Sequence, residues 1–211
     1  MAQYFVLNDF PRLDDDVAHP NNLPITVCTA SMLASEKAGY VVWLTGLSGS
    51  GKTTLSKALA SALQQHGHHT LILDGDELRA GLCRDLGFSP QGRAENIRRA
   101  AEVAALAARA GLIVLVACIS PLRIDRDHAR QIVGPDRFTE VWLDCPLSVC
   151  EQREVKGLYH QARCGAIPCF TGISAPYEPP AQADLVLQTD RLSLGDCVFG
   201  LLKQLGVIDH A

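Results

Sequence analysis

Residues 46–53 read Gly46-Leu47-Ser48-Gly49-Ser50-Gly51-Lys52-Thr53, the spacing G-x-x-x-x-G-K-[ST]. Glycines at these places let backbone N–H groups curl around a polyphosphate, and the following helix N-terminus adds partial positive charge. Lys52 can reach the β- and γ-phosphates of a nucleoside triphosphate, and the Thr53 hydroxyl can ligate Mg²⁺. A second loaded stretch is Leu73-Asp74-Gly75-Asp76. Two carboxylates separated by one glycine can face the phosphate loop across a turn, where one accepts a proton from a substrate hydroxyl or holds a water on Mg²⁺. An aspartate before a glycine turn is also an ordinary helix cap. Cations follow at Arg79, Arg84, Arg93, Arg98 and Arg99. Arg79 and Arg93 lie near enough in sequence to hold an anionic acceptor with their guanidinium forks. Arg98, Arg99 and Arg109 read as ion-paired residues on a helix surface.

These groups need a scaffold. Tyr40–Thr45 is an apolar, β-prone run before the loop, and Leu55, Ala58, Leu59, Ala62 and Leu63 after it keep helical spacing,. From residue 40 onward strand and helix alternate, which implies a parallel sheet of the P-loop NTPase type, five-stranded, with helices on both faces. The strands are read at 40–45, 70–74, 112–119, 138–144 and 184–188, and the helices at about 53–66, 76–82, 91–110, 121–133, from 146, and 193–205. Ser120-Pro121 reads as N-cap and first residue of the helix that runs to Val133. In such a sheet, ligands bind beyond the C-terminal strand ends. Strand three ends in Ile119-Ser120-Pro121 without an acidic residue, so the metal and base roles fall on Asp74 and Asp76. The polar stretch 153–182 contains a lid, at about 153–172, of the kind that closes over phosphates, excludes water and supplies a cation. Residues 1–38 carry three prolines, Asp14-Asp15-Asp16 and no sustained period, and read as an irregular N-terminal extension with a short strand at Tyr4–Leu7. The kinase-like domain is 39–211.

The formal net charge of −4 excludes the basic excess of a nucleic-acid binder. The longest apolar run, Leu112 to Ile119, is too short to cross a bilayer. No basic segment followed by an apolar one opens the chain, so a cytoplasmic protein is expected. The 8 cysteines form no C-x-x-C, and the nearest pairs, 145/150 and 164/169, are five apart. They read as reduced thiols. His66, His68 and His69 read as a polar loop, since nothing near them in sequence completes a metal-ligand set.

Several ordered motifs resemble the adenylylsulfate kinase family. They are Leu73-Asp74-Gly75-Asp76, Arg79, Arg84-Asp85-Leu86-Gly87-Phe88, Glu95-Asn96-Ile97-Arg98-Arg99, Ile119-Ser120-Pro121, Cys150-Glu151-Gln152-Arg153, Lys156-Gly157-Leu158-Tyr159, and Phe170-Thr171-Gly172-Ile173 with Pro176-Tyr177-Glu178. The likeness covers about residues 40–190. It implies transfer of the ATP γ-phosphate to the 3′-hydroxyl of adenosine 5′-phosphosulfate (APS), giving 3′-phosphoadenosine 5′-phosphosulfate (PAPS) and ADP, with Mg²⁺.

By position, Gly46, Ser48, Gly49, Ser50, Gly51, Lys52, Thr53 and Thr54, with Arg153 near the base, are the implied ATP contacts. Asp76, Arg79, Phe88, Arg93, Asn96, Ile119, Ser120, Lys156 and Phe170 are the implied APS contacts, with Phe88 and Phe170 sandwiching the adenine. Lys52, Asp76, Asp74 and Lys156 carry the implied catalytic roles, and Thr53 the metal, with Asp74 and Asp76 acting through water. In some members the serine at the Ser120 position carries a phosphate. The resemblance also implies a homodimer acting alongside ATP sulfurylase. This sequence departs from the family at Glu77 (often Asn), Ala80 and Ala101 (often Gly), and residues 1–38 do not match the family's usual N-terminus. Glu77 is expected to weaken anion binding by its charge.

Overall fold

In the computed structural model the structure describes residues 39–208; the strand expected at Tyr4–Leu7 and the rest of the N-terminal extension lie outside them. Five parallel strands, β1 (Tyr40–Thr45), β2 (Thr70–Asp74), β3 (Ile113–Ala117), β4 (Phe138–Asp144) and β5 (Leu185–Gln188), pair in the order β2-β3-β1-β4-β5. The central strand β1 has Trp43 opposite Val116 on one side and Glu140 on the other.

The apolar run of β1 is sunk on both faces, as a parallel strand covered by helices must be. Val41 and Trp43 face a layer built from α3 (Pro90–Arg109) and α4 (Arg123–Val133). Val42 and Leu44 face α1 (Lys52–Gln65) and α7 (Leu194–Gln204). On α3 the buried side chains are mostly alanines, Ala100, Ala101, Ala104, Ala105 and Ala108. Small residues bring that helix close to the sheet, and Ala101 is fully buried there. Ser89 caps α3, its side chain accepting from the Gly92 N–H.

Three features differ from the sequence expectations. β3 ends at Ala117, two residues early, because the chain leaves the sheet to form the Cys118–Pro121 turn. Ser120 is not the cap of α4: the helix starts at Arg123, and Ser120 has φ +40°. Its hydroxyl is spent elsewhere, accepting from Trp43 Nε1 at 3.1 Å and donating to the Cys118 carbonyl at 3.2 Å. The start of α4 is capped from a distance by the Glu178 carboxylate, which accepts from the Arg123 N–H at 2.9 Å. The 153–182 stretch holds a short helix, α6 (Leu158–Arg163), after α5 (Leu147–Arg153). It carries its own small core of Tyr159, Ala162 and Phe170 with Cys145 and Cys150. No helix among the described residues is long and apolar enough to cross a membrane.

Candidate active site

The phosphate loop joins β1 to α1 and takes backbone conformations that glycine permits. Gly49 has φ +77°, and a Cβ there would sit 2.4 Å from the Cys150 carbonyl oxygen. Gly51, with φ +100°, is the N-cap of α1, so the turn aims the first N–H groups of that helix outward,. Lys52 folds inside the loop. Its Nζ donates to the carbonyls of Gly46 and Leu47 at 2.9 and 2.7 Å. Burial pushes its pKa down from 10.5 to about 8. A lysine held this way is poised for an anion, whose charge would restore full protonation.

Asp74, at the end of β2, does two jobs at once. One carboxylate oxygen accepts from the Asp76 N–H at 2.9 Å and caps α2 (Gly75–Ala80). The other accepts from the Thr53 hydroxyl at 2.6 Å. The cap reading of this aspartate is therefore realised, and its second oxygen is turned to the phosphate loop. The pairing puts a hydroxyl and a carboxylate side by side at the loop, a hard-oxygen donor set that fits Mg²⁺.

Asp76 faces the solvent side of the same turn and forms an ion pair with Lys156 of the lid. That contact raises the Lys156 pKa, first through the hydrogen bond to Asp76. The lid is tied down beside it. Glu154 accepts from the N–H groups of Lys156 and Leu158, and Tyr159 OH donates to the Ser48 carbonyl of the phosphate loop at 2.8 Å.

The other end of the site is aromatic and cationic. Phe88 is 56% exposed. The guanidinium carbons of Arg79 and Arg93 lie 4.3 and 5.4 Å from its ring centre. Arg93 also donates to the carbonyls of Phe88 and Cys169. Phe170 packs edge-on to Tyr159, with ring centres 5.0 Å apart. Asn96 is buried on α3 with its Oδ1 unpartnered. Arg98 and Arg99 are committed to ion pairs with Glu95, Glu102 and Asp85, as expected for a helix surface.

A single cavity of about 820 Å³ connects these parts. It is lined by Ser48 to Thr54, Asp74, Asp76, Arg79, Phe88, Arg93, Asn96, Ile119, Ser120, Arg153, Lys156 and Phe170. Of the ATP, APS, catalytic and metal contacts implied by the sequence, only Gly46 does not line it; a Cβ there would meet the Ser50 hydroxyl and the Leu143 carbonyl, so it serves the turn. Glu77 is exposed and does not reach the cavity wall. Cys118 does, beside Lys52, but burial pushes its thiol up to about 12, so it stays neutral and inert,.

The family model for adenylylsulphate kinase matches residues 38–188. The chain belongs to the adenylylsulphate kinase family. An adenylyl-sulfate kinase of Enterobacter sp. (strain 638) is 50% identical over 198 residues, covering 92% of this chain and 97% of its own. One from Acaryochloris marina (strain MBIC 11017) is 49% identical over 171 residues, 80% of this chain and 83% of its own. Among solved structures, the APS kinase of Mycobacterium tuberculosis in complex with AMPPNP and APS superposes with a TM-score of 0.76 at 46% identity, covering 80% of this chain and 98% of that one. The Enterobacter likeness spans more of the chain than residues 39–211 alone supply. It therefore reaches into residues 1–38.

Sequence reasoning missed three contributors. Thr189 donates from its hydroxyl to the Ser50 carbonyl at 2.9 Å, and its own carbonyl accepts from Arg153 at 3.1 Å. This links the end of β5 to the phosphate loop. Thr171 is buried at the cavity wall with its hydroxyl unpartnered; its place in the Phe170-Thr171-Gly172 motif was the available signal. The third, Tyr159, stood in a motif already noted, but its tie to Ser48 spans 111 residues.

Proposed function

We propose that this kinase transfers the γ-phosphate of ATP to the 3′-hydroxyl of APS, yielding PAPS and ADP for sulfate activation. The observation that carries the reading is the one continuous cavity, with a phosphate loop at one end and Phe88, Phe170, Arg79 and Arg93 at the other. A purine nucleotide bearing extra anionic charge is the acceptor such an end suits: rings for the base, guanidinium forks for the phosphosulfate. Family membership and the APS complex of the mycobacterial relative support the same acceptor.

In the proposed reaction ATP lies with its phosphates along Gly49 to Thr54 and its base near Arg153. Lys52 neutralises charge on the β- and γ-phosphates. Thr53 would hold Mg²⁺, with Asp74 and Asp76 through water, and the ion would supply neutralisation of the polyphosphate charge. Asp76 orients the acceptor hydroxyl and takes its proton. Its present partner, Lys156, moves from the carboxylate to the transferring phosphoryl group as the substrates enter. A loose phosphoryl-transfer transition state asks mostly for positioning and charge, which Asp76 and Lys156 supply. The lid excludes water, which protects ATP from hydrolysis. Transfer is direct. The Ser120 hydroxyl, already bonded to Trp43 and Cys118, has no covalent role in this scheme. The family resemblance supports a cytoplasmic homodimer working alongside ATP sulfurylase, with residues 39–211 as the catalytic domain.

The test is an acceptor panel under Mg-ATP. APS, AMP, adenosine and a sugar acid are supplied at equal concentration, and ADP release is followed. Release with APS well above the others supports the proposal; equal release with a sugar acid overturns it.

A further inference from the structure

One fully buried charge takes no part in the scheme above. Arg126 of α4 is 2% exposed and pairs with Glu140 of β4, itself 9% exposed, at 2.6 Å. Removing two charges from water is expensive, and a buried pair of this kind is a poor device for stability alone. The rest of the guanidinium shows what else it does. Nη1 donates to the Ser120 carbonyl at 2.7 Å, and Nη2 donates to the Glu178 carbonyl at 2.8 Å. One rigid fork thus holds three parts of the chain: the central sheet, the turn after β3, and the segment that follows the lid.

The first carbonyl belongs to the acceptor end of the site, and the second to a segment bound to it. Ser120 lines the cavity, and its φ of +40° is a conformation that a non-glycine residue keeps only when its surroundings impose it,. Those surroundings are Arg126 on the carbonyl, Trp43 on the hydroxyl, and Thr45, whose hydroxyl donates to the Ile119 carbonyl at 2.8 Å. Glu178 is bound to the same turn a second time, its N–H donating to the Pro121 carbonyl at 2.8 Å. Three residues before it, Ala175 bridges to Thr171, next to Phe170. A shift at Arg126 would therefore move Ser120 and the Phe170 strap together; the phosphate loop has its own ties, to Thr189 and to Tyr159, and meets the strap only through the packing of Tyr159 on Phe170.

We propose that Arg126 is a positioning residue for the acceptor: its fork locks the Ser120 turn and the base of the lid into one register, and so sets affinity for APS far more than affinity for ATP. The inference rests on the functional reading above, which assigns APS to that end of the cavity.

Two variants test it. Arg126→Met with Glu140→Met removes both buried charges and keeps the volume apolar, so no lone charge is stranded. Arg126→Lys keeps the pair with Glu140 but cannot reach all three acceptors. The wild-type enzyme is assayed first with APS, so failure of the functional reading shows there and separately. Misplacement of the order of an ångström costs up to about 100-fold. The expected result is a KM for APS raised about 10- to 100-fold in both variants, with the KM for ATP and the Kd for AMPPNP changed less than about twofold. An APS KM within twofold of wild type in a folded variant overturns the proposal. So does an equal loss of ATP affinity, or failure of both variants to fold, since either shows that Arg126 serves general stability.

Discussion

Replacing Lys52 by methionine tests the phosphate loop through stability as well as activity. Methionine keeps an unbranched chain and deletes the charge. In the folded protein burial holds the Lys52 pKa at about 8, against 10.5 ordinarily. Between those two values the unfolded chain binds the extra proton, so wild-type stability rises with pH across the window. Below pH 8 the full cost of a buried ammonium is present, and above 10.5 it has vanished. From pH 7 to pH 9.5 the wild type should gain about 2 kcal/mol relative to Lys52→Met. The difference between the two proteins isolates this group, because their other titrations largely cancel. Urea unfolding at four or five pH values measures it. A saturating ATP analogue should flatten the effect by returning the proton to Lys52. Turnover of the variant should fall by at least about 10³-fold. Parallel stability curves for the two proteins would refute the reasoning, as would near-normal turnover.

Asp76→Asn should lower turnover by about 10²-fold or more while leaving ATP affinity intact; since Asp76 is 77% exposed, the melting temperature should hardly move, and unchanged turnover would remove the base role. Phe88→Ala should raise the APS KM about tenfold with little effect on stability, because the ring is exposed,. Phe170→Ala should raise the APS KM too but also destabilise the fold by about 3 kcal/mol or more, because this ring is 8% exposed and packs on Tyr159,; thermal melts beside kinetics distinguish the two. Deleting residues 1–35 should leave turnover intact, and size-exclusion chromatography would report any change in assembly; loss of folding would show that the extension belongs to the core.

The parts of this site that are readable in the sequence are those built from local chemistry. A glycine loop needs its glycines within a few residues, and Asp74 caps the helix that starts one residue later. The alternation of apolar strands and amphipathic helices likewise places the loop at the C-terminal ends of the parallel strands,. What escaped depends on partners far along the chain. Ser120 looks like a helix cap until Glu178, 55 residues beyond Arg123, takes that place. The helix at Leu158–Arg163 buries only Tyr159 and Ala162, too few positions to declare a period against its polar neighbours. Arg126 sits in the charged run Arg123-Ile124-Asp125-Arg126-Asp127, where an arginine looks solvent-facing; only the tertiary structure brings Glu140 and two carbonyls around it.

The central claim is tested most directly by incubating the full chain with Mg-ATP and APS and identifying the nucleotide products by mass and by the position of the new phosphate. The account predicts stoichiometric ADP and PAPS, phosphorylated at the 3′-hydroxyl, with no ADP above background when APS is left out. ATP bound without APS-dependent turnover, or a phosphate delivered to any other position, would contradict it.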